Sequence, residues 1–282
     1  MHVVHFLVVI LSTILFKVVF SLAPAVAQET QPVIPNFWDA RIIPDRPASF
    51  PDKIQFLATD GFPPFVFRDT EGRLTGFNVD LSRAICIELG SACSIRIKEF
   101  DALVPAIMAD EGNAIISGLA TNKKLNETLY FTPDYLKLPA RFVVRRADAE
   151  TFDENALSDV TISVEAGSRH EAFALKFWPS AAIQSYTTLQ GARNAVKTGA
   201  AQAHFGDGMA LSFWLNSTQP DDCCTFAGGP WLEPGYFDKG LSIAVRKTDV
   251  EIADALEYAL SVLAQKGTYR ELYLRYFPIS FY

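Results

Sequence analysis

Thr59-Asp60-Gly61-Phe62-Pro63-Pro64-Phe65 is followed closely by Gly72-Arg73-Leu74-Thr75-Gly76-Phe77-Asn78-Val79-Asp80-Leu81. The first stretch reads as a strand end running into an aromatic-lined loop, because Asp-Gly and Pro-Pro punctuate the chain. The second reads as a hairpin turn and then a helix, with Asp80 in its opening. Strand, loop and helix in that order form the unit from which α/β sheets are assembled.

The pattern continues in both directions from there. Residues 54–58 read as the first strand, and residues 78–89 as a helix with Val79, Leu81, Ala84, Ile85 and Leu89 as its apolar positions. Residues 95–97 suit a strand, 102–109 a helix, and 114–119 a buried strand ending in small residues. A second run of the same kind starts at residues 141–145. It continues as a strand at 161–164, a helix at 170–177, a strand at 183–186, a helix at 189–197 and a strand at 203–207. Residues 241–245 return as a strand. They lead into an amphipathic helix at 250–265, with Ile252, Leu256, Leu260 and Leu263 on one face, and a last short helix at 269–276. Two α/β units joined by two crossings leave a cleft between them, and such sheets bind ligands beyond the carboxyl ends of their strands.

The N-terminus sets the compartment. Residues 6–16 form an apolar run too short to span a bilayer comfortably, and Ala25-Val26-Ala27 fits a small-residue cleavage site. Residues 1–27 are therefore expected to be a signal peptide and the mature protein to be periplasmic. Residues 28–51 form a Pro-rich lead-in without periodicity. The whole chain carries 25 basic and 32 acidic residues. Lys17 leaves with the leader, so 24 basic residues face 32 acidic ones, a net charge of −8. An acidic surface without basic clusters argues against nucleic acid as a partner.

Four cysteines in an exported protein suggest disulfides. Cys86 and Cys93 flank a helix end and a strand start, where a staple is geometrically easy. Cys223 and Cys224 are adjacent, and either a vicinal bridge or two thiols fits the sequence. No metal is expected, since the mature chain keeps only His170 and His204 and has no paired C-x-x-C. No cofactor motif occurs either: there is no phosphate loop, no Gly-x-Ser-x-Gly elbow and no H-E-x-x-H.

In order and spacing, several segments together resemble family 3 solute-binding proteins, especially the histidine and lysine/arginine/ornithine binders. They are Phe62-Pro63-Pro64-Phe65, Gly76-Phe77-Asn78-Val79-Asp80-Leu81, the Cys86/Cys93 pair, Phe100-Asp101-Ala102-Leu103-Val104-Pro105-Ala106, Phe131-Thr132-Pro133-Asp134-Tyr135, Val164-Glu165-Ala166-Gly167-Ser168, Phe205-Gly206-Asp207 and Lys266-Gly267-Thr268-Tyr269. The resemblance implies a two-lobed α/β fold of the type II periplasmic binding protein kind. Lobe 1 would comprise residues 52–137 plus 241–282, with lobe 2, residues 138–240, inserted. It also implies a monomer that captures a small ligand by hinge closure and presents it to the membrane subunits of an ABC importer.

Residue by residue, the resemblance places a ligand ammonium against Asp207. It places a ligand carboxylate against the backbone of Gly167, Ser168 and Arg169, where a helix start offers N–H groups. Phe62, with Phe65 beside it, would lie along the ligand side chain. The strand-end positions Ser117, Gly118 and Ala120 would contribute small contacts, of which only Ser117 keeps a hydroxyl. The family's carboxylate-forking Arg falls on Leu125, which cannot replace it. An amine-bearing ligand, an amino acid or a relative, is therefore expected. Two other uses of the fold stay open: an accessory protein acting through protein contacts, and an enzyme resembling cyclohexadienyl dehydratase.

Overall fold

A computed structural model describes residues 44–119, 121–217, 222–277 and 279–282. The expected signal peptide and most of the lead-in lie outside the described residues. The end of the lead-in packs on the body, with Phe50 stacked on Tyr258 at 5.6 Å between ring centroids.

The first sheet begins with β1 (Lys53–Ala58), buried along most of its length. A short hairpin, β2 (Phe67–Arg68) and β3 (Leu74–Thr75), leads to helix α1 (Phe77–Leu89). Then come β4 (Ala92–Ile97), α2 (Leu103–Met108), β5 (Ala114–Ile115), the one-turn α3 (Leu125–Thr128) and β6 (Leu129–Phe131). The chain leaves through β7 (Leu136–Lys137).

The second sheet follows with β8 (Ala140–Arg145), β9 (Thr161–Glu165), α4 (Arg169–Phe177), β10 (Ala182–Tyr186), α5 (Leu189–Thr198), β11 (Ala203–Asp207), α6 (Gly208–Ser217) and β12 (Cys224–Trp231). The chain returns through β13 (Gly240–Leu241) to β14 (Ala244–Arg246), α7 (Val250–Gln265) and α8 (Thr268–Tyr276).

The two sheets share one design. The first has the order β4-β1-β5-β14-β6 and the second β10-β9-β11-β8-β12. In each, three parallel strands are followed by one antiparallel strand and then by a fifth that pairs antiparallel to it and so runs with the first three. The two crossings pair with each other, Gly240 opposite Lys137 and Leu241 opposite Leu136. Each sheet has its own core, one around Phe56, Phe77, Leu256 and Tyr273, the other around Phe142, Phe173 and Phe205. Burying a ring such as Phe77 contributes about 1.5–3 kcal/mol. The lobes also touch through side chains, since Met209 and Phe213 of α6 pack against the first core.

Two strands come out shorter than the hydrophobic pattern suggests. The 114–119 run is extended only over Ala114–Ile115, because Gly118 adopts φ 68° and turns the chain out of the sheet. The 241–245 run is split by Asp134, which accepts from the Gly240 N–H at 3.1 Å and from the Ser242 hydroxyl at 2.7 Å. Cys86 and Cys93 are bonded, with Cα atoms 5.9 Å apart, tying the end of α1 to β4. Cys223 and Cys224 form a vicinal disulfide.

Candidate functional site

Both sheets present side chains at the carboxyl ends of their parallel strands, and the two faces differ in chemistry. On the first lobe, the Thr59 N–H at the end of β1 donates to the Ser117 hydroxyl at 2.9 Å. Ser117 is itself placed by Asn78, a buried side chain of α1 that donates to the Ile116 carbonyl at 3.2 Å and accepts from the Tyr135 hydroxyl at 2.9 Å. The Phe62 N–H and the Val66 N–H close a tight turn that lifts the Phe62 ring outward. The ring lies beside Gly118, where a β-carbon would stand 3.5 Å from it. Thr59, Phe62, Phe100, Ser117 and Gly118 line a cavity of about 410 Å³. Phe62 is 41% exposed and Phe100 46%, high for rings of this size. The carboxylate at this face, Asp60, is paired with the Arg68 guanidinium at 2.8 Å, so the face carries no available charge among its described lining residues. Thr59 Oγ1 is buried and makes no hydrogen bond among the described residues.

The second lobe supplies charge. Strand β11 passes directly into α6, which Gly208 permits: a β-carbon there would stand 2.9 Å from the Pro139 carbonyl oxygen and 3.0 Å from Arg141 Cγ. Asp207 therefore sits where a strand ends and a helix begins. Its Oδ1 accepts from the Ala210 N–H at 2.9 Å, capping α6, and its Oδ2 lies 3.4 Å from Arg169 Nη2. The side chain is 24% exposed. Burial raises the Asp207 pKa, against the pull of the Ala210 N–H and the Arg169 guanidinium.

Across from Asp207, the Ser168 hydroxyl caps α4 by accepting from the Glu171 N–H at 3.1 Å. Glu171 reaches back to the Gly167 N–H at 2.6 Å and accepts from the Ser185 hydroxyl, and these bonds hold its carboxyl below the usual range, the Ser185 bond foremost. The Ser168 N–H in turn donates to the Glu165 carbonyl at 3.3 Å. Two of the three amides expected to receive a carboxylate are thus engaged within the protein. The Arg169 side chain crosses the Phe237 ring at 5.5 Å, donates through Nη1 to the Tyr236 carbonyl at 3.2 Å, and faces Asp207.

Behind Asp207 lies a closed cavity of about 50 Å³, lined among others by Glu165, His170, Arg193 and His204. A space of that size suits a few water molecules. His170 Nε2, His204 Nε2 and Arg193 Nε are buried without a hydrogen-bond partner among the described residues. His204 Nδ1 lies 2.9 Å from the Ser163 carbonyl, so it carries the proton and leaves Nε2 as a bare acceptor. Burial pushes His204 down to about 4 and His170 to about 3, so both imidazoles are neutral near pH 7.

The sequence-derived residues therefore separate into groups. Phe62, Ser117 and Gly118 line the first face, while Asp207 and Arg169 face each other on the second, beside the Gly167-Ser168 cap. Phe65 is fully buried behind Phe62, its ring 5.0 Å from that of Phe62 and 6.1 Å from Phe277, so it supports the first face from within the core. Leu125 opens α3 and packs on the cluster of Leu57, Leu103 and Leu129. Ala120 lies outside the described residues. Phe100, Thr59 and Arg193 are additions from the structure. Phe100 carries no sequence signal that separates it from core aromatics, and the other two depend on tertiary contacts. No group of three or more His, Cys, Asp or Glu among the described residues could hold a metal. No described helix is long and apolar enough to cross a membrane.

Two α/β lobes of like topology, linked by paired crossings, define a type II periplasmic binding protein fold. The chain belongs to the bacterial extracellular solute-binding proteins, family 3, whose model matches residues 54–279. ABC transporter arginine-binding protein 1 of Escherichia coli (strain K12) is 29% identical over 231 residues, covering 82% of this chain and 93% of that protein. The L-arginine-binding protein of Pseudomonas aeruginosa is 29% identical over 223 residues, covering 78% of this chain and 86% of the relative. The L-cystine solute receptor of Neisseria gonorrhoeae, in its unliganded open conformation, shares the fold with a TM-score of 0.70 at 18% identity, covering 81% of this chain and 94% of that one.

Proposed function

We propose that this chain is the periplasmic substrate-binding component of an ABC importer that captures a small amine-bearing ligand, an amino acid or close relative. The hinge lies at the crossings, with lobe 1 as residues 52–137 plus 241–282 and lobe 2 as residues 138–240. The protein is exported by a cleaved leader, works as a monomer without cofactor, and hands its ligand to membrane subunits. The observation that carries this reading is Asp207, a partly buried carboxylate at a strand end. A ligand ammonium there stabilises the charge that burial disfavours. Phe62 and Phe100 offer an apolar wall for the rest of the ligand. The names of the arginine-binding relatives point to the same ligand class.

Binding without turnover is the better reading of the chemistry. A general acid or base must reach the substrate with a pKa near the working pH. The imidazole of His204 is fully buried, and both His170 and His204 titrate far below neutrality.

The test is a thermal-unfolding screen of the mature chain against basic, polar and aromatic amino acids, polyamines and quaternary amines, with prephenate and arogenate turnover assayed in parallel. A cationic amino acid at a hundred times its Kd should stabilise the protein by about 2.7 kcal/mol, read as an upward midpoint shift of several degrees. No shift from any compound, after removal of co-purified ligand, would turn the reading toward an accessory protein. Turnover of prephenate or arogenate would turn it toward an enzyme.

A further inference from the structure

We infer that Arg169 receives the carboxylate of the ligand, so that a zwitterionic amino acid is bound by exchanging partners with the Arg169–Asp207 ion pair on the second lobe. This rests on the proposal that the chain binds an amine through Asp207.

None of the described residues that line the first face supplies the counter-charge. Its described lining residues include no cation, Asp60 is tied to Arg68, and Leu125 is turned into an apolar cluster. On the second lobe there are two guanidinium groups near Asp207. Arg193 is committed below the surface: it donates to the Ala210 carbonyl at 3.2 Å, lies 5.6 Å from the Trp214 ring centre, and borders the closed cavity. Arg169 is different, with a side chain 41% exposed.

Its contact with Asp207 is a single one at 3.4 Å, longer than the 2.7–2.9 Å typical of charge-assisted hydrogen bonds and not the forked geometry that makes Arg–carboxylate pairs strong. The Phe237 ring and the Tyr236 carbonyl hold the guanidinium in place without satisfying its charge. Without ligand, Arg169 serves as a loose stand-in cation for Asp207. An amino acid carries an ammonium and a carboxylate on one carbon. When its ammonium takes over Asp207, the guanidinium gains a carboxylate beside it, and two weakly paired charges become four well-paired ones. The carboxylate fork is thereby supplied from the second lobe, next to the α4 cap.

The experiment measures Kd by titration calorimetry for two couples, L-arginine with agmatine and L-histidine with histamine. In each couple the second compound keeps the amine and lacks the carboxylate. The proteins are the full mature chain, Arg169→Met and Arg169→Lys, with unliganded unfolding midpoints compared first. The parent protein should prefer the amino acid of at least one couple. Arg169→Met should weaken that amino acid roughly 10- to 100-fold, the worth of a charged hydrogen bond. The same variant should leave the amine unchanged or tighter, because Asp207 is no longer shared. Arg169→Lys should fall between, keeping charge but losing the fork. Equal affinity of the parent for both members of every couple it binds overturns the inference and leaves the amine site standing. Equal weakening of both compounds by Arg169→Met also overturns it. A parent protein that binds no member of either couple removes the amine site itself.

Discussion

The first lobe lines its cavity with rings, glycines, hydroxyls and one paired carboxylate, whereas the second gathers two carboxylates, two imidazoles and Arg193 around a cavity of its own, with Arg169 facing Asp207. On the first face the one carboxylate is paired, the Ser117 hydroxyl is fixed by the backbone and Thr59 Oγ1 alone lacks a partner among the described residues. The second is less settled, with a carboxylate disfavoured by burial, a long ion pair and three buried nitrogens without partners among the described residues. Perturbed groups gathered in one place mark a site where a ligand is expected to complete the electrostatics. On the proposed reading the labour divides: shape is read by one lobe and charge by the other.

The largest effect should come from Asp207→Asn. On the proposed reading it removes the charge that receives the ligand ammonium, and losing one partner of such a pair costs about 2–5 kcal/mol, or a weakening of roughly 30- to several-thousand-fold in Kd. Asn also caps helices well, and the lost charge was disfavoured by burial, so the unliganded midpoint should stay level or rise. A lower midpoint together with unchanged affinity would break the assignment of charge reading to this lobe.

A smaller effect is expected on the other face. Phe62→Ala removes an exposed ring proposed to lie along the ligand, and should weaken binding by about 1–2 kcal/mol, roughly 5- to 30-fold. The change should appear with zwitterionic and amine ligands alike, because the first face has no charge with which to distinguish them. A selective loss of one class would show that it reads charge after all.

The last effect concerns acid stability rather than binding. A buried imidazole with a depressed pKa keeps the folded state neutral while the unfolded chain takes up a proton below about 6.5, so stability is lost as pH falls. For His204 and His170 the loss should run from about pH 6.5 down towards 4 and 3 respectively. His204→Asn or His170→Phe should flatten the decline in unfolding midpoint across that window. An unchanged slope in both variants would show that the second lobe's histidines do not govern it.

Much of this was legible in the sequence. Alternating strand and helix patterns gave element types and order, since Val, Ile and Leu at periods of 2 and 3.6 leave few alternatives over long segments. The strand-end position of Asp207 was legible too, because Phe205-Gly206-Asp207-Gly208 has small residues where backbone must approach closely. What stayed hidden depends on distant partners. The direction of the Arg169 side chain is set by Tyr236 and Phe237, 67 and 68 residues further on. The inward turn of Leu125 depends on a cluster formed by β1, α2 and β6. Phe65 could not be told from Phe62 in the sequence, because turn geometry alone sends one ring inward and the other out.

The crossings β7 and β13 are only two residues each, so bending them strains few backbone hydrogen bonds. The resistance to bending lies elsewhere, behind the cleft. Phe213 of α6 meets Phe277 with ring centroids 6.1 Å apart, and the Tyr282 hydroxyl grips the Lys137 carbonyl in the first crossing. On the proposed reading, in which the lobes close at these crossings, such contacts would bias how often the resting molecule visits its closed form, and apparent affinity would scale with that fraction. Altering Phe213 would then move the working concentration range without touching Asp207 or Arg169, the residues proposed to set selectivity.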